Sequence, residues 1–254
     1  MQSFEPFDRA SRRRARDRAA GLIDSHTEIL AYVEGELEAR AELLSPAAEG
    51  PELRIGLLLP PPPGAIGCDP SQVLARRHGG VQCDEDRLPF GDARFGRITA
   101  LMTLGGVNDL PGALILCRRA LNTGGRFIAA FPAGWSLGVV REAFLAADVA
   151  GGGGVPARLG PTVDPAEAAG LLQRAGFVEP VVEVETLTIR VASLMALARD
   201  VRAHGESGWL AARSRGLTTP RRWAAAEAGF AQTADSARRV SVALQLLFLS
   251  ARAP

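Results

Sequence analysis

The chain has 254 residues, room for one generous α/β domain or a domain with an appendage, and its 47% apolar content can fill a core. A net charge of +1, with arginine as the sole basic residue apart from three histidines, argues against a dedicated nucleic-acid binder. Cys68, Cys83 and Cys117 are widely spaced, as are His26, His78 and His204, so the sequence offers no zinc cluster and points to a reducing, cytoplasmic compartment.

No apolar run approaches the roughly 20 residues of a membrane span. Residues 4–20, FEPFDRASRRRARDRAA, are basic with Phe4 and Phe7 in front. They read either as a solvated helix start or as an arm that docks on a partner or on its own domain. Glu5, Asp8 and Asp17 set this stretch apart from an acid-poor transit peptide. From Leu22 to Leu44 apolar residues recur at helical spacing (Leu22, Ile29, Leu30, Val33, Leu37, Leu44, with His26 in register), which predicts one amphipathic helix ending near Ser45-Pro46. Tyr32 on that helix reads as a packing residue.

Strands are expected at 53–59, at 65–68, briefly at 80–83 and at 95–102. A helix follows at 109–121, with Asn108 and Asp109 as its N-cap and Pro111 in its first turn. Asn122 to Gly125 reads as a turn before a fifth strand at 126–131. Further helices are expected at about 136–148 and at 165–176, with a flexible break at Gly151 to Gly154 between them. Alternation over 181–191 predicts an antiparallel sixth strand. Helices at 192–204 and 220–230 and a last apolar strand at 241–249 complete the pattern. Strands alternating with helices imply a mostly parallel sheet with helices on both faces.

The stretch Arg54 to Ser71, RIGLLLPPPPGAIGCDPS, breaks this pattern. A nucleotide-binding α/β fold places a glycine-rich turn and a helix after its first strand, so that backbone amides meet the ligand. Here Pro60 to Pro63 take that place. Proline fixes φ and removes the N–H donor, and a run of four favours a rigid extended segment.

Five segments in order, FDRASRRRARDRAA (7–20), LPF (88–90), VNDLPGAL (107–114), RRALNTGGRFIAA (118–130) and LLQRAGFVEPVVEVETLTIRV (171–191), carry a resemblance over most of the chain. Together they resemble class I S-adenosylmethionine (SAM) methyltransferases. More narrowly, they look like bacterial relatives of the methyltransferase-like complex I assembly factor, whose family implies hydroxylation of an arginine in a complex I subunit. The malonyl-carrier-protein methyltransferase of biotin synthesis is a cousin. The resemblance implies a Rossmann-like α/β fold: a mostly parallel sheet, an antiparallel strand near the C-terminus and an N-terminal arm and helix over 1–48. The methyltransferase-like domain would span 49–254, with a helical cap at about 192–235.

By the same resemblance SAM is the cofactor, and Gly56, Asp69, Asp84, Asp86 and Leu88 are the positions on its side. Asp69 matches the acid that binds the ribose hydroxyls, and Asp84 or Asp86 the region that contacts adenine. The family's turn, roughly DLGCGTG, is replaced by Gly56-Leu57-Leu58-Leu59-Pro60, and its LHWVNDLPG by LGGVNDLPG with Gly105 and Gly106. The expectation is a pseudoenzyme acting through a protein partner, a respiratory complex subunit or an active paralogue. The alternative is an active SAM enzyme, methyltransferase or arginine hydroxylase, with a non-standard cofactor site. His78 and His204 read as loop or capping residues, and no catalytic residue is evident.

Overall fold

A computed structural model describes residues 5–44, 46–152, 154–214 and 216–254. The segment read as basic and helical forms α1 (Arg9–Ala19), started by Asp8, whose carboxylate accepts the Ser11 amide. A short 3₁₀ turn, Ile23–Ser25, separates it from α2 (Glu28–Glu42). The single helix expected from Leu22 is therefore two pieces. His26 caps the turn, with its Nε2 3.4 Å from Asp200, and it does not lie on the apolar stripe. Phe4 and Ser45 lie outside the described residues.

Seven strands form one sheet: β1 (Glu52–Ile55), β2 (Ile66–Asp69), β3 (Val81–Gln82), β4 (Phe95–Leu101), β5 (Leu121–Pro132), β6 (Val178–Val191) and β7 (Val240–Arg252). Their order is β3-β2-β1-β4-β5-β7-β6. The helices between them are α3 (Gln72–Arg77), α4 (Leu110–Ala120), α5 (Gly138–Gly151), α6 (Pro165–Arg174), α7 (Leu194–Ala203) and α8 (Pro220–Ala231). β1 is shorter than the expected 53–59 because Gly56 turns to φ 93° as soon as β1 ends. No helix follows β1 and the chain returns directly to β2, as the prolines imply; α3, after β2, was not foreseen.

Two further expectations need correction. Asn122 to Gly125 is no free turn but part of β5, bulged where the pairing jumps from Phe95↔Leu121 to Arg97↔Arg126. The reversed strand is β7, which slots antiparallel between β5 and β6, whereas the alternating 181–191 segment lies in β6, antiparallel only to β7. α5 runs through Gly151, and Gly153 lies outside the described residues.

Alternation along the strands builds a core on each face. Phe127, Ala129 and Phe131 of β5 and Leu247 and Leu249 of β7 meet α4 and α6 on one side. On the other, Ile128 and Ala130 with Leu246 and Phe248 meet Leu30, Val33 and Leu37 of α2. Each fully buried Phe or Leu contributes about 1.5–3 kcal/mol. Tyr32 does not join this packing: it is 39% exposed, and its hydroxyl donates to Glu185 of β6. Among the described residues no helix is long and apolar enough to cross a membrane.

Candidate functional site

In an open α/β sheet the ligand crevice lies beyond the C-terminal strand ends, where the strand order reverses. Here that point is the gap between β1 and β4, and Gly56 lies at its floor. A side chain at Gly56 would place its first carbon 2.5 Å from the Leu101 carbonyl oxygen, so glycine is required there for backbone packing. Leu57 is fully buried, fills the space above Gly67 and Gly80, and gives its amide to Asp69 (2.8 Å).

Asp69 ends β2 where the sequence places it, at the crevice, and is completely buried. Its Oδ1 accepts Arg16 Nε (3.0 Å) and the Ser71 amide (2.7 Å); its Oδ2 accepts Arg16 Nη2 (2.6 Å) and the Leu57 amide. A carboxylate offers about four lone-pair positions, and here four donors take them. Burial pushes the Asp69 carboxyl up, but the charge and hydrogen bonds of Arg16 and the two amides outweigh it and hold the group below the usual range.

The other acids are held in the same way. Glu85, buried, takes a two-point contact from Arg12 (2.7 and 2.8 Å), and Arg12 also donates to the Thr103 carbonyl (2.8 Å). Asp84 accepts Arg13 (2.7 and 3.1 Å) and Arg9 (3.3 Å), while Asp86 accepts Arg9 at both oxygens (2.6 and 2.7 Å). Arg9, Arg12, Arg13 and Arg16 stand at i, i+3, i+4 and i+7, one face of α1. Of the two readings of the N-terminal segment, the docked arm holds: the arm lies on its own domain, in the crevice.

Backbone contacts pin the arm from outside. Phe7 gives its amide to Asn108 Oδ1 (2.9 Å) and receives Asn108 Nδ2 on its carbonyl (3.0 Å). Asp8 donates to the Trp209 carbonyl (2.8 Å), and Phe7 packs edge-on against Trp209 with ring centroids 4.8 Å apart. Asn108 therefore clamps the arm and does not cap α4. Asp109 alone is the cap, accepting the Gly112 amide at 2.8 Å.

Of the five residues expected on the cofactor side, Asp69, Asp84 and Asp86 pair with arginines of α1, Gly56 packs against Leu101 and Thr103, and Leu88 is buried in the core that packs β4 and α4. Glu85, Thr103 and the four arginines were missed as site residues. Two signals marked them: the helical spacing of the arginines and the acidic run Asp84-Glu85-Asp86. His78 and His204 sit at the C-terminal ends of α3 and α7, as capping residues do. Among the described residues no group of His, Cys, Asp and Glu is arranged to hold a metal ion. In this arrangement a ribose reaching Asp69 would find no free acceptor, since Arg16 and the Leu57 and Ser71 amides take both oxygens.

The strand order gives a Rossmann-like fold, the one class I methyltransferases share, and the crevice at its switch point is filled by the chain's own N-terminal helix. Among solved structures it is similar to the YcgJ protein of Bacillus subtilis (TM-score 0.56, 16% identity, covering 86% of this chain and 98% of that one). It is also similar to BH2331 of Bacillus halodurans, named as a candidate methyltransferase (TM-score 0.54, 14% identity, covering 87% of this chain and 99% of that one). In sequence it resembles a zebrafish protein named arginine-hydroxylase NDUFAF5, mitochondrial, at 25% identity over 81% of this chain and 70% of that protein. It also resembles a malonyl-[acyl-carrier protein] O-methyltransferase of Halorhodospira halophila, at 32% identity over 61% of this chain and 50% of that protein. The human NDUFAF5 match spans 37% of that protein's length. No protein-family model matches the chain.

Proposed function

We infer that this chain is a methyltransferase-like scaffold that has given up independent SAM catalysis and acts through protein contacts. The observation that carries this reading is the fully buried Arg16–Asp69 pair, which spends every acceptor of the ribose-binding acid on the chain's own backbone and helix. The proline segment supports it, since Pro60 to Pro63 bring no amide donors to the place where the family cradles the cofactor. Resemblance to the complex I assembly factor points to a respiratory complex subunit as partner, with an active paralogue as the other candidate. Three buried thiols suit a reducing compartment such as the cytoplasm.

Calorimetric titration of SAM and S-adenosylhomocysteine into the full chain tests the reading. The expected result is no binding at millimolar cofactor. Micromolar binding to the wild-type chain overturns it and favours the alternative, an active enzyme in which α1 moves aside. Asp69→Ala is a poor probe for this purpose, because it strips Arg16 of its partner and unsettles the fold together with the site.

A further inference from the structure

An edge strand leaves a row of backbone N–H and C=O groups unpaired, and folded proteins blunt their edges against unwanted pairing. The two edges of this sheet are unlike. β3, at one, is only two residues long. β6, at the other, is 14 residues long, and among the described residues neither a strand nor an isolated bridge pairs with its outer side. The start of β6 is blunted: Pro180 lacks an N–H, Glu179 turns to φ 52°, and the pairing with β7 slips between Val178 and Val181. From Val181 to Val191 these devices stop. VVEVETLTIRV holds no proline, glycine or lysine and is rich in β-branched residues.

The two faces of this stretch differ. Odd-numbered residues point to the side of α2: Glu183 and Glu185 accept Arg40 Nε (3.2 Å) and Nη2 (3.1 Å), while Leu187 and Ile189 pack inward. These two acids are held by their own chain and do not screen the edge. Even-numbered residues point the other way, and Val184, Thr186, Thr188 and Arg190 are exposed. The edge is therefore long, open and mostly uncharged, which suits a further strand.

We propose that two copies of this chain join edge to edge along β6, antiparallel about a two-fold axis beside Leu187, so that two seven-stranded sheets become one. A two-fold axis normal to the sheet keeps the faces of both copies level, so residues that meet must point the same way. One residue of β6 then sits on the axis opposite its own counterpart, and charge chooses which. An axis at Glu183 or Glu185 sets like charges face to face, and one at Val184 sets Glu183 against Glu185. At Thr186, Glu185 and its counterpart become diagonal neighbours, about 7–8 Å apart.

Leu187 is the first position that separates the acids. Glu185 then lies opposite Ile189, Glu183 opposite Val191, Thr186 opposite Thr188, and Val184 beside the aliphatic stem of Arg190. Pairing runs over 183–191, a seam of about 30 Å, and an axis nearer either end of the strand shortens it. α2 and α7 lie on the same face of the sheet. The start of the second copy's α7, where Met195 is exposed, comes level with Val181 and with Leu43, which is 87% exposed. These two residues open on an apolar groove of about 170 Å³ lined also by Leu37, Leu44 and Phe248. The inference goes beyond the scaffold reading and does not rest on it, since β5 and β7 separate this edge from β4 and the crevice.

Sedimentation velocity of the full chain tests the proposal. The expected result is a dimer that dissociates on dilution, with a Kd of about 0.1 mM or tighter. Thr186→Lys together with Thr188→Lys sets lysine against lysine across the seam and is expected to weaken the dimer by about tenfold or more. Both positions are exposed, and circular dichroism checks the fold. Cysteine linking reads the register, and it decides the matter where the lysine variant fails to fold. Leu187→Cys brings two Cα atoms to about 4.5–5.5 Å across the axis, within the span of a disulfide, so copper phenanthroline is expected to link it into a covalent dimer. Val184→Cys, about 20 Å from its counterpart, is expected to stay unlinked. The three native thiols are buried, and the wild-type chain serves as the blank. A chain that is monomeric at about 0.2 mM overturns the proposal. So does a dimer that the folded lysine variant leaves unchanged, or linking through Val184→Cys as ready as through Leu187→Cys.

Discussion

Arg16 and Asp69 show how much one pair can hold. Both side chains are completely buried, and the arginine grips the carboxylate with two nitrogens. Such a pair adds little over a well-packed apolar substitute, but removing one partner strands the other charge and costs about 3–5 kcal/mol. Arg16→Ala and Asp69→Ala are each expected to lose stability of that order in urea unfolding. The double variant should lose clearly less than the sum. The exposed pair Arg119–Asp92 (54% and 62% exposed) supplies the contrast, with a loss below about 1 kcal/mol. At this scale Asp69 could be found from sequence, by its place after β2. Its partner could not be read with the same ease, because fifty-three residues separate the two, and sequence distance says nothing of a contact made by folding.

At the scale of the element, α1 is a docked part whose retention rests on charge. Its buried apolar contribution is modest, mainly Ala15 and Ala19 with Phe7 in front. Arg9 and Arg13 are partly exposed and contribute little apiece, whereas Arg12 and Glu85 are buried. This asymmetry is open to limited trypsin digestion, because the helix is dense in arginine and cleavage requires it to unwind locally. Arg12→Met is expected to speed cleavage within 9–19 by about tenfold or more, where tenfold corresponds to about 1.4 kcal/mol of lost docking. Arg13→Met should change the rate by about threefold or less. Equal rates in the two variants would mean that α1 is held by its backbone clamp at Asn108 and Trp209. The basic composition of 4–20 made a helix start or a docking arm legible in advance, while the single face that its arginines share went unread. What that face meets was not legible, because it depends on the order in which strands enter the sheet. Local rules also failed at 122–125, where a glycine-rich turn signal was absorbed into the bulge of β5, and at His26, whose helical register was cut by a 3₁₀ turn.

For the whole molecule, the alternation of strands and helices was enough to foresee a mostly parallel sheet, and the prolines were enough to foresee a crevice without its helix. The reversed direction of β7 was assigned to the wrong strand, since alternation reveals a two-sided strand and not its orientation. Global stability should carry the mark of the crevice acids. Asp69 and Asp86 both have folded-state carboxyls held below the ordinary carboxylate value: burial acts upward, and the contacts with Arg16 and with Arg9 outweigh it. The unfolded chain then binds more protons than the folded one between the two values. Their contribution is thus complete above the unfolded carboxylate value of about 3.9 and is lost as pH falls through the folded one. Urea midpoints measured from pH 6 downward are expected to hold until about pH 4 and then to drop. In Arg16→Met the drop should be shallower, because Asp69 no longer titrates below its ordinary range.

Asp69, Asp84, Glu85 and Asp86 would form a knot of like charge at the mouth of the sheet without the helix that covers them. Dissolved cations would have to crowd around such a knot or leave it strained by self-repulsion. The arm makes that crowding unnecessary: it is a tethered counter-ion, delivered at the high effective concentration that a short linker imposes. A protein partner that takes hold of the arm would therefore do two things at once, gaining a row of guanidinium groups to bind and laying bare a strongly acidic groove on the surface it leaves behind.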